Sequence, residues 1–419
     1  MVPQPEVLKI KVGDESYVVL RNLPGQRQGA RSWYQFLRAF LDKTFNVEWC
    51  PEQPCLCRGV EFCLLTHVDG IMYAGSRKFW HEVFLPAFQK AFTVSYNELG
   101  DVGSEISFLK RRIKRLPGGL ALIPGTNIDA LVQKVEAKLG HVRLQSMPGD
   151  ASLQREDTTK ELSGSDASVY RMAVGVCLYL SRDRPDIVFP VKELASRMSK
   201  PTIGSLQSLK KLVGYLKSTQ DYAVVLEQPV GGSGQWKQSN DKFWILESFS
   251  DSDWSGDKRH RRSTSAGMHL LCSAYMFGSS RTQRVISLSS CESELHGMVS
   301  TLADGLFLRR CAEFVTRATI EHYLLTDSSS ARQLAARQGV GKIKHLSAKI
   351  LWIQNLVQEK TVILSQISTI WNVADAGTKV LSSKRLRLLL HQLGVFLEVW
   401  KRACGAGGVS RNISTRWWT

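Results

Sequence analysis

The chain lacks most of what would place it outside the ordinary intracellular globular class. Its first residues, MVPQPEVLKIKVGDES, contain no apolar signal-peptide core, and no apolar run is long enough to span a bilayer. An intracellular protein, cytoplasmic or nuclear and not secreted, with no membrane partner, is therefore expected. Cysteine is scarce: nine in 419 residues, odd in number and too scattered for a disulfide scaffold. Cys50, Cys55, Cys57 and Cys63 do cluster, but without paired C-x-x-C spacing and partly within apolar, strand-like sequence, which favours buried free thiols over a zinc site. No internal repeat is present. Acidic residues are also in short supply, with 38 Asp and Glu against 55 Lys and Arg. The resulting net charge of +17 favours a polyanionic partner, most often nucleic acid.

What is present describes folded protein. Hydrophobic residues at 43% and charged residues at 22% suit two or three domains with sizeable cores. SYVVLRNL alternates as a strand does, and ARSWYQFLRAFLDKTF places Trp33, Phe36, Leu37 and Phe40 at helical spacing. FCLLTHVDGIMYAG reads as a hairpin turning at His67-Val68-Asp69-Gly70, followed by the amphipathic helix KFWHEVFLPAFQKAF and the basic strand-like run ISFLKRRIKRL. DALVQKVEAKLG is helical, and residues up to about 165 have loop composition. Long helices then follow, broken at Pro185 and Pro190, with a Lys-rich helix at SLQSLKKLVGYLKSTQ and a strand at DYAVVLEQP. PVGGSGQWKQSNDK is the clearest linker by composition. Beyond it come three strand-like runs and then alternating helices and strands, which predict a mixed sheet with helices packed on it.

Four acidic residues in this last part stand in four different local contexts. Asp251 lies in the strand ILESFSDSDW and Glu294 in the helix that follows a Ser-rich cap. Asp327 closes the strand HYLLTD, and Asp375, in WNVADAGTK, is expected at the start of the final helix. Carboxylates at strand ends and helix starts are what a hard divalent cation requires. Asp251 and Asp253 share a strand face, so periodicity does not choose between them. Glu292 and Glu294, two apart on a helix, cannot both face the core; Glu294 is in register with Met298 and is better placed.

Further residues carry a resemblance. RNLPGQRQGARSWY, Pro54-Cys55-Leu56-Cys57, His67-Val68-Asp69-Gly70, YRMAVGVCLYLSRDRPDIVFPVKELASRMSKP and KKLVGYLKST stand in order, followed by SDSDWSGDKRHRRSTSAG, ISLSSCESEL, LLTDSSSARQLA, KHLSAK and ADAGTK. In this order the chain resembles the C-terminal part of a copia-type LTR retrotransposon polyprotein, the later portion of reverse transcriptase followed by RNase H. The resemblance implies an α/β protein. Residues 1–228 would be a truncated reverse transcriptase (partial palm, thumb and connection) and 229–242 a linker. Residues 243–398 would be an RNase H-like domain with a mixed five-stranded sheet, and 399–419 a disordered tail.

The resemblance also implies roles. Asp251, Glu294, Asp327 and Asp375 would be the catalytic carboxylates holding two Mg²⁺ or Mn²⁺ ions, with Asp251 preferred to Asp253 and Glu294 to Glu292. The substrate would be an RNA–DNA hybrid, contacted by Arg259, Arg261, Arg262, Lys210, Lys211 and His345. His345 could serve as proton shuttle or phosphate contact, or be structural. The polymerase hairpin is degenerate. Where the family has YVDD, His67 and Gly70 replace the tyrosine and the second carboxylate, and Asp69 alone cannot assemble a two-metal site. The upstream Asp-containing block is also missing, so polymerase activity is expected to be lost. The rival reading is a decayed element that binds nucleic acid, or only folds, without catalysis. An integrase-like nuclease is disfavoured by the four acids and the order of the blocks.

Overall fold

The structure is a computed structural model and describes residues 9–12, 15–18, 29–124, 127–227, 244–258, 260–339 and 347–397. The expected linker at 229–242, the tail at 399–419, Arg259 and His345 lie outside the described residues. The chain divides into two compact units, Met1–Tyr96 and Asn97–Thr419.

The first unit opens with the antiparallel strands β1 (Lys9–Val12) and β2 (Glu15–Val18). Helix α1 (Gly29–Phe45) precedes an antiparallel sheet of β3 (Glu48–Trp49), β4 (Leu56–Arg58), β5 (Phe62–His67) and β6 (Gly70–Gly75). The unit ends in a helical run with α2 (Arg77–Phe79) and α3 (Leu85–Ala91) joined by one π-helical stretch. Its core is aromatic: Leu37 and Leu41 of α1 meet Phe62, Phe84 and Phe88, and Phe84 stacks on Phe88 with centroids 5.3 Å apart. The expected hairpin is present, with His67 opposite Gly70 and a two-residue turn at Val68-Asp69. Val68 has φ +54, a left-handed conformation that a β-branched side chain tolerates poorly. The Trp33 indole N–H donates to its carbonyl at 2.5 Å, which helps to hold the turn.

The second unit begins with β7 (Glu105–Phe108), β8 (Arg111–Leu116) and β9 (Gly119–Pro124). Helices α4 (Asn127–Leu139), α5 (Gly164–Leu180), α6 (Val188–Ala195) and α7 (Ile203–Ser218) follow, then β10 (Tyr222–Glu227). Of the two expected breaks only Pro185 interrupts helix; Pro190 sits in the first turn of α6, where a missing N–H costs nothing. After it come β11 (Trp244–Asp253), β12 (Thr264–Leu271), β13 (Ala274–Thr282), α8 (Ser290–Thr316), β14 (Ile320–Thr326), α9 (Ser329–Ala336), α10 (Ser347–Gln358), β15 (Ile363–Gln366), α11 (Ser383–Gln392) and β16 (Val395–Leu397).

Two five-stranded sheets result. The order β13-β12-β11-β14-β15 is the mixed sheet expected from the sequence, antiparallel through β13, β12 and β11 and parallel through β11, β14 and β15. The other sheet, β16-β10-β9-β8-β7, is antiparallel, and its edge strand β16 comes from the far end of the chain. The two sides of residues 229–242 are therefore not packed as separate bodies. One hydrophobic core runs from Leu131, Tyr170 and Leu212 through Phe249 and Met268 to Leu389.

A buried ion pair anchors this core. Arg184, fully buried, donates to Asp186 (Nη2 to Oδ2, 2.6 Å) and to the Thr219 carbonyl and hydroxyl, at 3.0 and 2.7 Å. The Tyr215 hydroxyl donates to the same Asp186 oxygen at 2.7 Å. The guanidinium also lies over the rings of Tyr215 and Tyr222, 5.7 and 5.0 Å from their centroids. Such a charge is tolerated in a core because nearly every donor is taken up.

Candidate metal centre

Strand β11 lies at the middle of the mixed sheet and is parallel to β14, so their C-terminal ends emerge on the same edge. The last paired residues are Phe249 and Leu325. Two residues further along each strand come Asp251 and Asp327, which the register makes neighbours. Helix α8 brings the third acid. It starts from a Ser289 cap whose hydroxyl accepts from the Glu292 N–H at 3.2 Å, and it comes down close on β11. A Cβ on Gly297 would lie only 3.2 Å from Ser250 Oγ and 3.3 Å from the Asp251 carbonyl. This close approach carries Glu294, one turn earlier, onto the strand ends. One oxygen from each of Asp251, Glu294 and Asp327 lies within 4.8 Å of the others. Among the described residues no other group of three His, Cys, Asp or Glu side chains converges in this way.

The two unchosen acids have other duties. Glu292 is buried and Glu294 half-buried, although the two lie only two apart on the helix. The Glu292 carboxylate accepts from the Leu288 N–H at 2.8 Å and ties down the start of α8. Asp253 accepts from the Gln154 amide at 3.2 Å.

Asp375 lies beside the trio but is differently engaged. It sits in a 3₁₀ turn, Val373–Gly377, and not at the start of α11, which begins six residues after that turn at Ser383. Asn372 fixes the turn by donating to the Ser250 carbonyl at 3.0 Å. The Asp375 carboxylate is buried, with Lys379 Nζ 2.7 Å from one oxygen and Arg385 Nη2 3.2 Å from the other. Lys379 also stands 3.9 Å from Asp251, and the Thr378 hydroxyl donates to Asp251. Thr378 and Lys379 are functional candidates to which the sequence reading gave no role, although the ADAGTK block contains both.

The electrostatics are those of a site short of positive charge. Burial, reinforced by Asp251 and Asp327, pushes the Glu294 carboxyl up to about 9. Its Oε2 is buried without a hydrogen-bond partner. Burial likewise raises Asp251 to about 6; Asp375 and Asp327 add to the effect, while Lys379 and Thr378 oppose it. Lys379 is held above its usual value because Asp251 and Asp375 outweigh its own burial. Three oxygen donors converging around an unpartnered buried carboxylate oxygen fit a hard divalent cation.

The other expected contacts are dispersed. Arg261 and Arg262 lie exposed in the connection from β11 to β12. Lys210 donates to the Leu139 carbonyl and Lys211, with its side chain 42% exposed, pairs with Asp150. His67, Val68 and Asp69 are exposed at the tip of the β5–β6 hairpin. The described cysteines are all free; of the expected buried thiols Cys50 and Cys57 are buried, and Cys55 and Cys63 half-buried. No helix among the described residues is long and apolar enough to cross a membrane.

The chain is homologous to retrovirus-related Pol polyproteins of copia-type transposons. It is 28% identical over 379 residues to the polyprotein of transposon RE1 and 27% over 395 residues to that of RE2, both from Arabidopsis thaliana. These matches cover 89% and 92% of this chain but 24% and 25% of the relatives. The polyprotein of transposon TNT 1-94 from Nicotiana tabacum is 24% identical over 387 residues, 90% of this chain and 28% of that protein. The chain thus spans about a quarter of the length of these three relatives. No family model matches it. Among solved structures, a foamy viral protease-reverse transcriptase in complex with RNA/DNA hybrid aligns with TM-score 0.47 and 12% identity, over 86% of this chain and 41% of that one.

Proposed function

We propose that the second unit is a divalent-metal nuclease of RNase H type, hydrolysing the RNA strand of an RNA–DNA hybrid. One observation carries the reading: Asp251, Glu294 and Asp327 converge within 4.8 Å at the C-terminal ends of β11 and β14. A bound Mg²⁺ or Mn²⁺ would supply Lewis acidity to the phosphodiester and stabilise the charge that builds on its oxygens. The three carboxylates would hold such an ion at the sheet edge. Thr378 orients Asp251 by donating to it, and Lys379 offsets part of the negative charge. A second ion, the number the resemblance implies, would compete with Lys379 and Arg385 for Asp375. Arg261 and Arg262, exposed in the β11–β12 connection, would meet phosphates, a contact without sequence preference.

The test is cleavage of an end-labelled hybrid by the full chain with and without Mg²⁺. Asp251→Asn and Asp327→Asn should each lower the rate on the order of 100-fold or more, the scale of losing one electrostatic stabiliser. Unchanged rates in both variants would sink the assignment. A second reading, binding without catalysis, is favoured by the engagement of Asp375 with Lys379 and Arg385. Gel-shift of the hybrid with no Mg²⁺-dependent cleavage would select it.

A further inference from the structure

We propose that Trp254, together with the strap 283–289 between β13 and α8, is a platform on which a nucleotide of the polynucleotide substrate packs beside the acid cluster. The inference rests on the nuclease reading and assigns to it a substrate-binding surface.

Trp254 directly follows β11, three residues after Asp251, and its relative exposure is 51%. An indole this exposed contributes little to the core, yet its orientation is fixed, because its N–H donates to the Ser287 carbonyl at 3.0 Å. The strap beneath it exposes Val285, Ile286 and Leu288, at 46%, 55% and 74%. Isolated exposed apolar residues are ordinary, but four in contiguous structure are not.

This strap has no regular secondary structure but is firmly tied. Gln283 is buried, and its amide donates to Ser252 Oγ (3.1 Å), Ser265 Oγ (2.9 Å) and the Ser293 carbonyl (2.9 Å). Its carbonyl accepts from the Ser287 hydroxyl at 2.8 Å. The Leu288 N–H donates to Glu292 at 2.8 Å. The strap is thereby fastened to β11 and to α8, the two elements that carry Asp251 and Glu294. An apolar surface held this rigidly loses little entropy when a ligand covers it.

The surroundings select the ligand class. Lys258, Arg261 and Arg262 are exposed in the β11–β12 connection, and Arg284 is exposed on the strap itself. Asp257, in the same connection, pairs with His260 at 3.1 Å. Aromatic and aliphatic surface bordered by cations suits a polyanion with flat apolar faces, which is the chemistry of a nucleic-acid strand.

The experiment uses the full chain and a fluorescently labelled RNA–DNA hybrid, reading binding by anisotropy without divalent cation and cleavage with Mg²⁺. Trp254→Ala should weaken binding about 10-fold, within the range for losing one stacked base, and raise KM more than it lowers kcat. Trp254→Phe should recover most of the affinity, since it keeps a ring. Ile286→Ser with Leu288→Ser, both surface changes, should weaken binding in the same direction without touching the ring. The Mg²⁺-induced rise in melting temperature reads the acid cluster separately and should persist in every variant. Equal hybrid affinity in wild type, Trp254→Ala and the double serine variant would overturn the platform while leaving the nuclease reading intact. A wild-type chain that neither binds nor cleaves hybrid would overturn both.

Discussion

At the scale of single residues, the protonation of Glu294 links the candidate metal centre to stability. Its folded-state value near 9 lies above the ordinary 4.5, so the folded metal-free chain holds a proton there that the unfolded chain releases. That contribution is complete below about 4.5 and is lost as pH rises toward about 9. A cation at the proposed site would bind the carboxylate form and displace this proton at neutral pH. The Mg²⁺-induced gain in melting temperature should therefore grow between about pH 6 and pH 9. Calorimetric titrations in buffers of different ionisation enthalpy should show proton release on binding. A gain independent of pH would mean that Glu294 is not a ligand. A second residue-scale expectation concerns the core: Asp186→Ala strands the buried Arg184 and should cost about 3–5 kcal/mol in chemical denaturation, as removal of one partner of a buried pair does. A loss below 1 kcal/mol would contradict that role.

At the scale of elements, the fit of α8 on β11 places the acids. Gly305 lies where a Cβ would meet His322 Nε2 at 2.7 Å and Ser248 Oγ at 2.7 Å. Beneath it Ser248 bonds to His269 Nδ1 at 2.8 Å and to His322 Nε2 at 2.7 Å, a polar set in the sheet whose two imidazoles burial holds neutral, at about 3. Gly305→Ala should push the helix off the strand and destabilise by about 1–3 kcal/mol, the usual cost of overpacking. Hybrid cleavage should fall as well, because Glu294 rides on the same helix. A variant of wild-type stability would show that the helix has room to shift.

The elements were also where the sequence was most legible. Alternation and helical spacing marked the mixed sheet, α8 and the β5–β6 hairpin, since each is specified by its own residues. Long-range dependencies were hidden. Nothing local in VADAG distinguishes a 3₁₀ turn from a helix start, because Asn372 stabilises the turn through a carbonyl more than a hundred residues away. Glu292 and Glu294 looked mutually exclusive by helical angle, and only the strap that meets Glu292 explains why it is buried while the half-buried Glu294 reaches the other acids. The lysines of α7 looked solvent-facing until α4 and the 150s loop supplied their partners. The three convergent acids were read from pattern and resemblance together; the locked state of Asp375 was not.

At the scale of the whole molecule, the sequence marks a linker at 229–242, yet the described residues on either side share one core and one sheet. Residues 243–398 expressed alone would leave β16 without β10 and would expose the side of the core that packs on α6 and α7. Such a fragment should melt well below the full chain or aggregate, as unpaired edges and uncovered apolar faces do. Residues 97–398 should melt cooperatively. Separate, unchanged transitions for the two halves would refute the shared core. Primer extension by the full chain should be absent, because Asp69 stands without a second carboxylate at the turn.

The pairing of β10 with β16 also sets an order of events during synthesis. Strand β10 is complete at residue 227, but its partner on that side ends only at residue 397. For the intervening stretch of translation the antiparallel sheet carries an open edge, ready to pair with any other extended chain. Closing it requires a contact of very long sequence separation, the slowest kind to form. The first sheet of the second unit therefore cannot be finished until residue 397 has been made.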